Sequence, residues 1–410
     1  MKPKVAKSTK SSHDIDAHVV MREHVEQGGL EPKAYEAFKK EIFEAIWRDL
    51  DPLEKAIEDN EHIDHAIVDP PLRKMRAFGL LVPKRYGGVG LSTSQYLPIL
   101  AEFSKIQGGI RVLVHVHNSM GHGLAELATE EQRQHILPGV ALGTKSVAFG
   151  LTEPDHGSGM DIGTTAVRKG NDYVINGRKW LITNSDIATH FIIFAKTDPA
   201  AGVAGVSAIL VERKTPGFTI TRLPETMGCK GGEHGQLRLV NVRVPVTNVL
   251  GQEGRGILEM EELLEISRVF IAATSLGTAE RAFELSLAFA KKRVTFGKPL
   301  AARQAIQRYL AEMGTDIYAL RGMIKDAAIK WDQGRRIPAE ASMCKLFGLE
   351  AVGRVTDRAL LVHGGIGYTR AHPIERLYRD ARLNWLEEGP PTVQYAVAAG
   401  QFLAGYEWDR

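Results

Sequence analysis

Two cysteines, Cys229 and Cys344, are all that this 410-residue chain contains. That is too few for a disulfide framework and points to a reducing compartment, so a cytoplasmic location is expected. Long apolar runs are also missing, and none reaches the ~20 residues of a membrane span. No membrane partner is therefore expected. A charge surplus is missing as well: 52 Lys and Arg against 49 Asp and Glu leave +3, too little and too dispersed to argue for nucleic acid. The first residues, MKPKVAKSTKSS, are basic and lack the apolar core of a secretory signal and the Arg-rich pattern of a transit peptide. Residues 1–15 are expected to form a disordered tail. There is no internal repeat, and no metal is expected.

The chain has the length and the apolar content for two or three globular domains. Over 16–145 the apolar residues recur at three- and four-residue spacing, as in YEAFKKEIFEAIWRDL, which predicts helices. GIRVLVHVHNSMGHGLAEL is nearly apolar all round and reads as a buried helix. Over 146–250 the period falls to two. DYVINGRKWLITN predicts a hairpin turning at Asn176–Gly177, and HFIIFAK, VSAILVERK and GQLRLVNVRVP add strands. Strands in unbroken succession predict an antiparallel barrel or sandwich rather than βαβ units. Over 251–410 long helical patterns return, and four of them predict a helical bundle. The fold class is α+β, with a β-domain between two helical domains.

Two segments carry the most chemistry. AFGLTEPDHGSG at Ala148–Gly159 is a turn rich in small residues, with hydroxyls at Thr152 and Ser158. GRKWLITNS at Gly177–Ser185 ends a strand with Thr183 and Asn184. Both present hydroxyls and backbone N–H groups to a flat polar ligand. Further on come KKRVTFGKPL, HGGIG at His363–Gly367, and NWLEEGPPTVQ at Asn384–Gln394. Two adjacent glutamates are usually a solvated pair. Here the RLYRDAR before them and the Gly–Pro turn after them fix a register.

In this order, these segments resemble those of the acyl-CoA dehydrogenase family. The resemblance implies FAD as cofactor, with Thr152 at the pyrimidine edge, Thr183 at N5 and Trp180 near the ring. Trp180 sits one residue earlier than the family aromatic, and in a strand one residue reverses the face. The resemblance gives Arg293, Thr295, Phe296, Gln304, Gly364 and Gly365 to the FAD of a neighbouring subunit, and so implies a homo-oligomer, most simply a tetramer. It makes Glu388 the base that takes the α-proton of an acyl-CoA, with Gly389 beside it. A buried carboxyl is a stronger base, with a pKa raised to roughly 6–7 in tuned cases. Some relatives carry the base just before a buried Arg; the matching pair here is Ser267-Arg268, and serine cannot serve. Ser158, Glu265 and Arg268 are expected near the CoA. An electron-transfer flavoprotein is the implied acceptor.

Arg111 is isolated among apolar residues. Its place resembles that of the arginine with which glutaryl-CoA dehydrogenases hold a terminal carboxylate, and His115 lies one turn on. Arg111 therefore either binds an acidic acyl tail or pairs with a protein carboxylate such as Glu387. Two further readings remain open on the same fold: a flavin monooxygenase or oxidase, which often lacks the base, and a non-catalytic flavin-bearing DNA-binding relative, for which the tail shows no basic patch.

Overall fold

A computed structural model describes residues 28–157, 161–223 and 225–408. The tail expected over 1–15 lies outside them, as does Ser158. Six helices come first: α1 (Pro32–Ala45), α2 (Glu54–Asn60), α3 (His65–Lys74), α4 (Thr93–Phe103), α5 (Gly108–Leu127) and α6 (Glu130–Ala141). Their starts follow from local chemistry. Asp64 accepts from the Ala66 N–H, Gln107 from that of Ile110, and Thr129 forms a capping box with Gln132. As its composition predicts, α5 is buried along most of its length.

The strands are β1 (Val147–Gly150), β2 (Thr165–Lys169), β3 (Asp172–Thr183), β4 (His190–Lys196), β5 (Val206–Glu212), β6 (Phe218–Arg222), β7 (His234–Pro245) and β8 (Val249–Leu250). They lie in the order β6-β7-β3-β2-β4-β5-β8, with β1 on β4. Most pairings are antiparallel as expected, but β1 runs parallel to β4, and Thr165 of β2 pairs with Lys196 of β4 in the same sense. The β2–β3 hairpin intervenes and returns the chain to β4 in the direction it had in β1.

The hairpin expected at Asn176–Gly177 does not form. β3 continues through these residues with a register shift against β7 between Ile175 and Gly177, and the turn lies at Gly170–Asn171, where Lys169 pairs with Asp172 and Gly170 has φ +67°. Asn176 instead bonds across to Asn241, whose N–H reaches Asn176 Oδ1 at 2.8 Å. Gly177 is required for close packing: a Cβ there would lie 2.3 Å from Thr164 Oγ1.

The chain then forms α7 (Gly256–Lys292), the short pair β9 (Val294–Thr295) and β10 (Lys298–Pro299), α8 (Gln304–Asp332), α9 (Pro338–His363), α10 (Ile374–Ala381) and α11 (Pro391–Leu403). One core joins α4 and α5 to the bundle through Phe103, Ile110, Phe270 and Leu320. A second joins α5 and α6 to the sheet through Leu124, Val140, Phe194 and Leu210. Each such side chain contributes roughly 1.5–3 kcal/mol on burial. The two cores converge where α5, α7 and the sheet meet, and the site lies there.

Candidate active site

A cavity of about 540 Å³ opens between α5, α7, the end of β3 and the loop before α11. Its walls include Thr152, Thr183, Ser267, Glu388 and Gly389, which the sequence places more than 230 residues apart at the extremes.

Thr152 follows β1 in a turn that a buried ion pair fixes. The Lys179 ammonium lies 2.7 Å from Glu153 Oε1 and donates to Leu151 O at 3.1 Å. Glu153 also accepts the N–H groups of Gly163 and Thr164 at 2.7 and 3.0 Å. The Trp180 N–H bonds Thr152 O at 2.8 Å. Burial, only partly offset by Glu153, pushes the Lys179 pKa down to about 8.

Thr183 ends β3 just after a bulge, where the register against β7 shifts between Lys179 and Ile182. Leu181 takes φ +56° in that bulge and turns into the cavity wall with Thr183. Trp180 is not part of that wall. The bulge turns Leu181 rather than Trp180 toward the cavity, and the expected place of Trp180 on its wall is corrected accordingly. Opposite Thr183 on β7 stands His234, a wall residue that sequence reasoning missed. Its buried Nδ1 has no hydrogen-bond partner among the described residues.

Glu388 sits in a left-handed turn, with φ +53°, followed by Gly389 at +85°. The conformation costs on the order of 1 kcal/mol for a non-glycine residue. Burial is the largest influence on its carboxyl and raises the pKa, and Glu387 adds to this. The Lys345 ammonium, the Ser267 hydroxyl and the Arg268 guanidinium act in the opposite sense.

Several expected binding residues are engaged elsewhere. Arg111 Nη1 lies 2.9 Å from Glu387 Oε1, and Nη2 donates to Asn384 Oδ1 at 2.9 Å. Of the two alternatives for Arg111, the protein carboxylate has taken the fork. His115 is buried beside it, packs edge-on to Phe270 and has its pKa pushed down to about 4 by burial. Neither forms part of the cavity wall. Glu265 is turned away from the cavity: it pairs with Arg336 Nη2 at 2.6 Å and accepts the Ile337 N–H at the start of α9. A CoA contact by Glu265 is therefore corrected to a structural bond between α7 and α9. Arg268 is buried and pairs with Glu261 at 2.8 Å.

Arg293, Phe296, Gln304, Gly364 and Gly365 are exposed and Thr295 is half-buried, all away from this cavity; Phe296 is 95% exposed. Outside the cavity, His135, His190 and Glu212 bring metal-capable atoms within 4.8 Å of one another. The Lys145 ammonium, 3.4 Å from His135 Nε2, already places a cation at that corner.

Sequence models of the acyl-CoA dehydrogenase N-terminal, middle and C-terminal domains match residues 32–144, 148–242 and 254–403. The chain belongs to the acyl-CoA dehydrogenase family. It is 36% identical over 358 residues to the acryloyl-CoA reductase (NADH) of Anaerotignum propionicum, covering 87% of this chain and 91% of that one. It is 34% identical over 351 residues to a subunit of the caffeyl-CoA reductase–Etf complex of Acetobacterium woodii, covering 85% and 92%. The butyryl-CoA dehydrogenase of Megasphaera elsdenii superposes with a TM-score of 0.87 at 31% identity, over 91% of this chain and 99% of that one. The protein is thus an oxidoreductase of a family of FAD-dependent flavoproteins. The cavity residues fit that group: aliphatic walls from Leu151, Leu181 and Ile182 suit a flat ring, and Thr152, Thr183 and the orphaned His234 nitrogen suit its polar edge. No helix of the described residues is long and apolar enough to cross a membrane.

Proposed function

We propose that this enzyme interconverts a saturated acyl-CoA and its 2-enoyl-CoA, with Glu388 carrying the α-proton. The observation that bears most weight is the placement of the half-buried Glu388 on the same cavity as Thr152 and Thr183, in surroundings that raise its carboxyl pKa. Bound FAD supplies the two-electron acceptor at the β-carbon. Thr152, Thr183 and His234 would hold its polar edge, and Leu181 stands in the chain where the family has an aromatic. Glu388 takes the proton at its carboxylate oxygen. The apolar walls exclude water, so a weakly acidic α-carbon meets a base that solvent does not level. Arg268 holds positive charge near the carboxylate, and Gly389 leaves space beside it.

The acyl tail is uncharged, because Arg111 is committed to Glu387 and Asn384, and the likeness to a butyryl-CoA dehydrogenase supports a short one. The preferred direction is oxidation, as in the butyryl-CoA dehydrogenase that this chain resembles; an electron-transfer flavoprotein is the electron partner, which a relative belonging to a reductase–Etf complex supports. A relative named as a reductase supports the reverse direction, in which the same carboxyl returns the proton. The exposed Arg293–Gly297 segment, Gln304 and Gly364–Gly365 serve the FAD of a second copy in a homotetramer.

The test is Glu388→Gln. Anaerobic butyryl-CoA is expected to bleach the flavin of the parent enzyme, and the variant is expected to keep its FAD and lose bleaching by about 10²–10⁴-fold. Bleaching at the parent rate would remove Glu388 from the role.

A further inference from the structure

Three consecutive carbonyl oxygens of the Glu388 loop are held by two buried side chains. The Lys345 ammonium donates to Glu387 O and Gly389 O. Gln394 Nε2 donates to Glu388 O at 3.1 Å and Gly389 O at 3.2 Å. Both side chains are fully buried. Lys345 lies within α9 and Gln394 in the first turn of α11, so the loop is gripped from both sides.

A buried ammonium costs several kcal/mol unless it is paired. No carboxylate among the described residues comes within ion-pair distance of Lys345. The two anions that act on it are Glu388 and Glu387. Glu387 is already bonded by Arg111 and faces His115 and His234. Of the two, Glu388 has the larger influence on Lys345 and, unlike Glu387, is not paired with an arginine.

We infer that Lys345 is the positioning residue of the active-site loop: it fixes Glu388 in its left-handed turn through the flanking carbonyls, and so sets a buried positive charge beside the loop that carries the Glu388 carboxylate. The inference rests on Glu388 being the base. The other groups that face Glu388 are Ser267 and Arg268 from α7 and Glu387 from its own loop. Burial and Glu387 favour the protonated acid, Ser267 and Arg268 favour the anion, and Lys345 is the largest influence on the side of the anion. Burial pushes the pKa of Lys345 itself down to about 8, so it is mainly charged at neutral pH.

The experiment is the pH dependence of anaerobic flavin reduction by butyryl-CoA in FAD-loaded Lys345→Met, Lys345→Arg and Gln394→Met, with hydrogen exchange of residues 386–390 measured alongside. Lys345→Met should move the acid limb of the profile upward by about one pH unit or more and speed exchange in the loop. Lys345→Arg, which keeps the charge, should leave the limb near the parent position. Gln394→Met should speed exchange without moving the limb. If the methionine variant loses FAD, Lys345→Gln replaces it and should show the same upward shift. An unmoved limb in the uncharged variants overturns the assignment, as does an equal shift in Gln394→Met, which would attribute it to loop loosening alone. Glu388→Gln separates the two readings. If it still bleaches, the base assignment fails; if it is dead while the uncharged Lys345 variants keep the parent limb, only the role of Lys345 fails.

Discussion

Two buried lysines hold the two ends of this active site, and they are solvated by the protein in different ways. Lys179 meets a carboxylate, Glu153, which is itself held by two backbone N–H groups. Its charge is cancelled where it stands, and what remains is a rigid Thr152 turn. Among the described residues Lys345 hydrogen-bonds carbonyl oxygens alone, and its charge is offset at longer range, chiefly by Glu388 and then by Glu387. The pKa of each is driven down to about 8. A closed pair therefore builds structure, and an open one leaves a charge to act on the group proposed to do the chemistry.

Breaking the closed pair should have the largest effect on stability. Glu153→Ala strands the Lys179 ammonium and two N–H groups, and should cost about 3–5 kcal/mol in urea unfolding, with FAD released more easily. A loss below 1 kcal/mol would show that the pair contributes no more than a surface one. Arg111→Ala comes next. It leaves Glu387 without its main partner beside the loop and should cost about 2–3 kcal/mol, lowering reduction by glutaryl-CoA and butyryl-CoA alike. A loss confined to glutaryl-CoA would restore the reading of Arg111 as a receptor for an acidic tail.

The smallest expected effect is a linkage. A lysine with a folded pKa near 8 and an unfolded pKa near the ordinary ~10.4 binds fewer protons folded than unfolded between those values. The penalty of burying its charge is thus full below pH 8 and fades as pH rises toward ~10.4. The unfolding free energy of the parent minus that of Lys345→Met should rise across that window by on the order of 1–3 kcal/mol. A flat difference would mean that Lys345 is not buried as a cation.

The helix–strand–helix order was legible because periodicity is local: 3.6 in α5 and 2 in β4 and β5 need no tertiary information. The place of Glu388 on the cavity was legible because a Gly–Pro turn fixed the register of NWLEEGPP. The Asn176–Gly177 turn was misread because tertiary packing against Thr164 and Asn241 also asks for those residues. The partner of Arg111 stayed open, since Glu387 is 276 residues away. Lys179, Lys345 and His234 went unnoticed. A faint signal existed for two of them: each lysine interrupts an inward-facing apolar phase, Lys179 in GRKWLI and Lys345 in SMCKLFG. What each lysine bonds depends on loops that the chain brings back from far away.

Exchange of the α-proton tests Glu388 without requiring turnover. An acyl-CoA that cannot be oxidised at its β-position, such as a 3-thia-acyl-CoA, would be incubated in D₂O with the FAD-loaded enzyme and followed by mass spectrometry. The parent should wash deuterium into the α-carbon, and Glu388→Gln should leave the label at the uncatalysed level. Exchange at the parent rate in that variant would contradict the account.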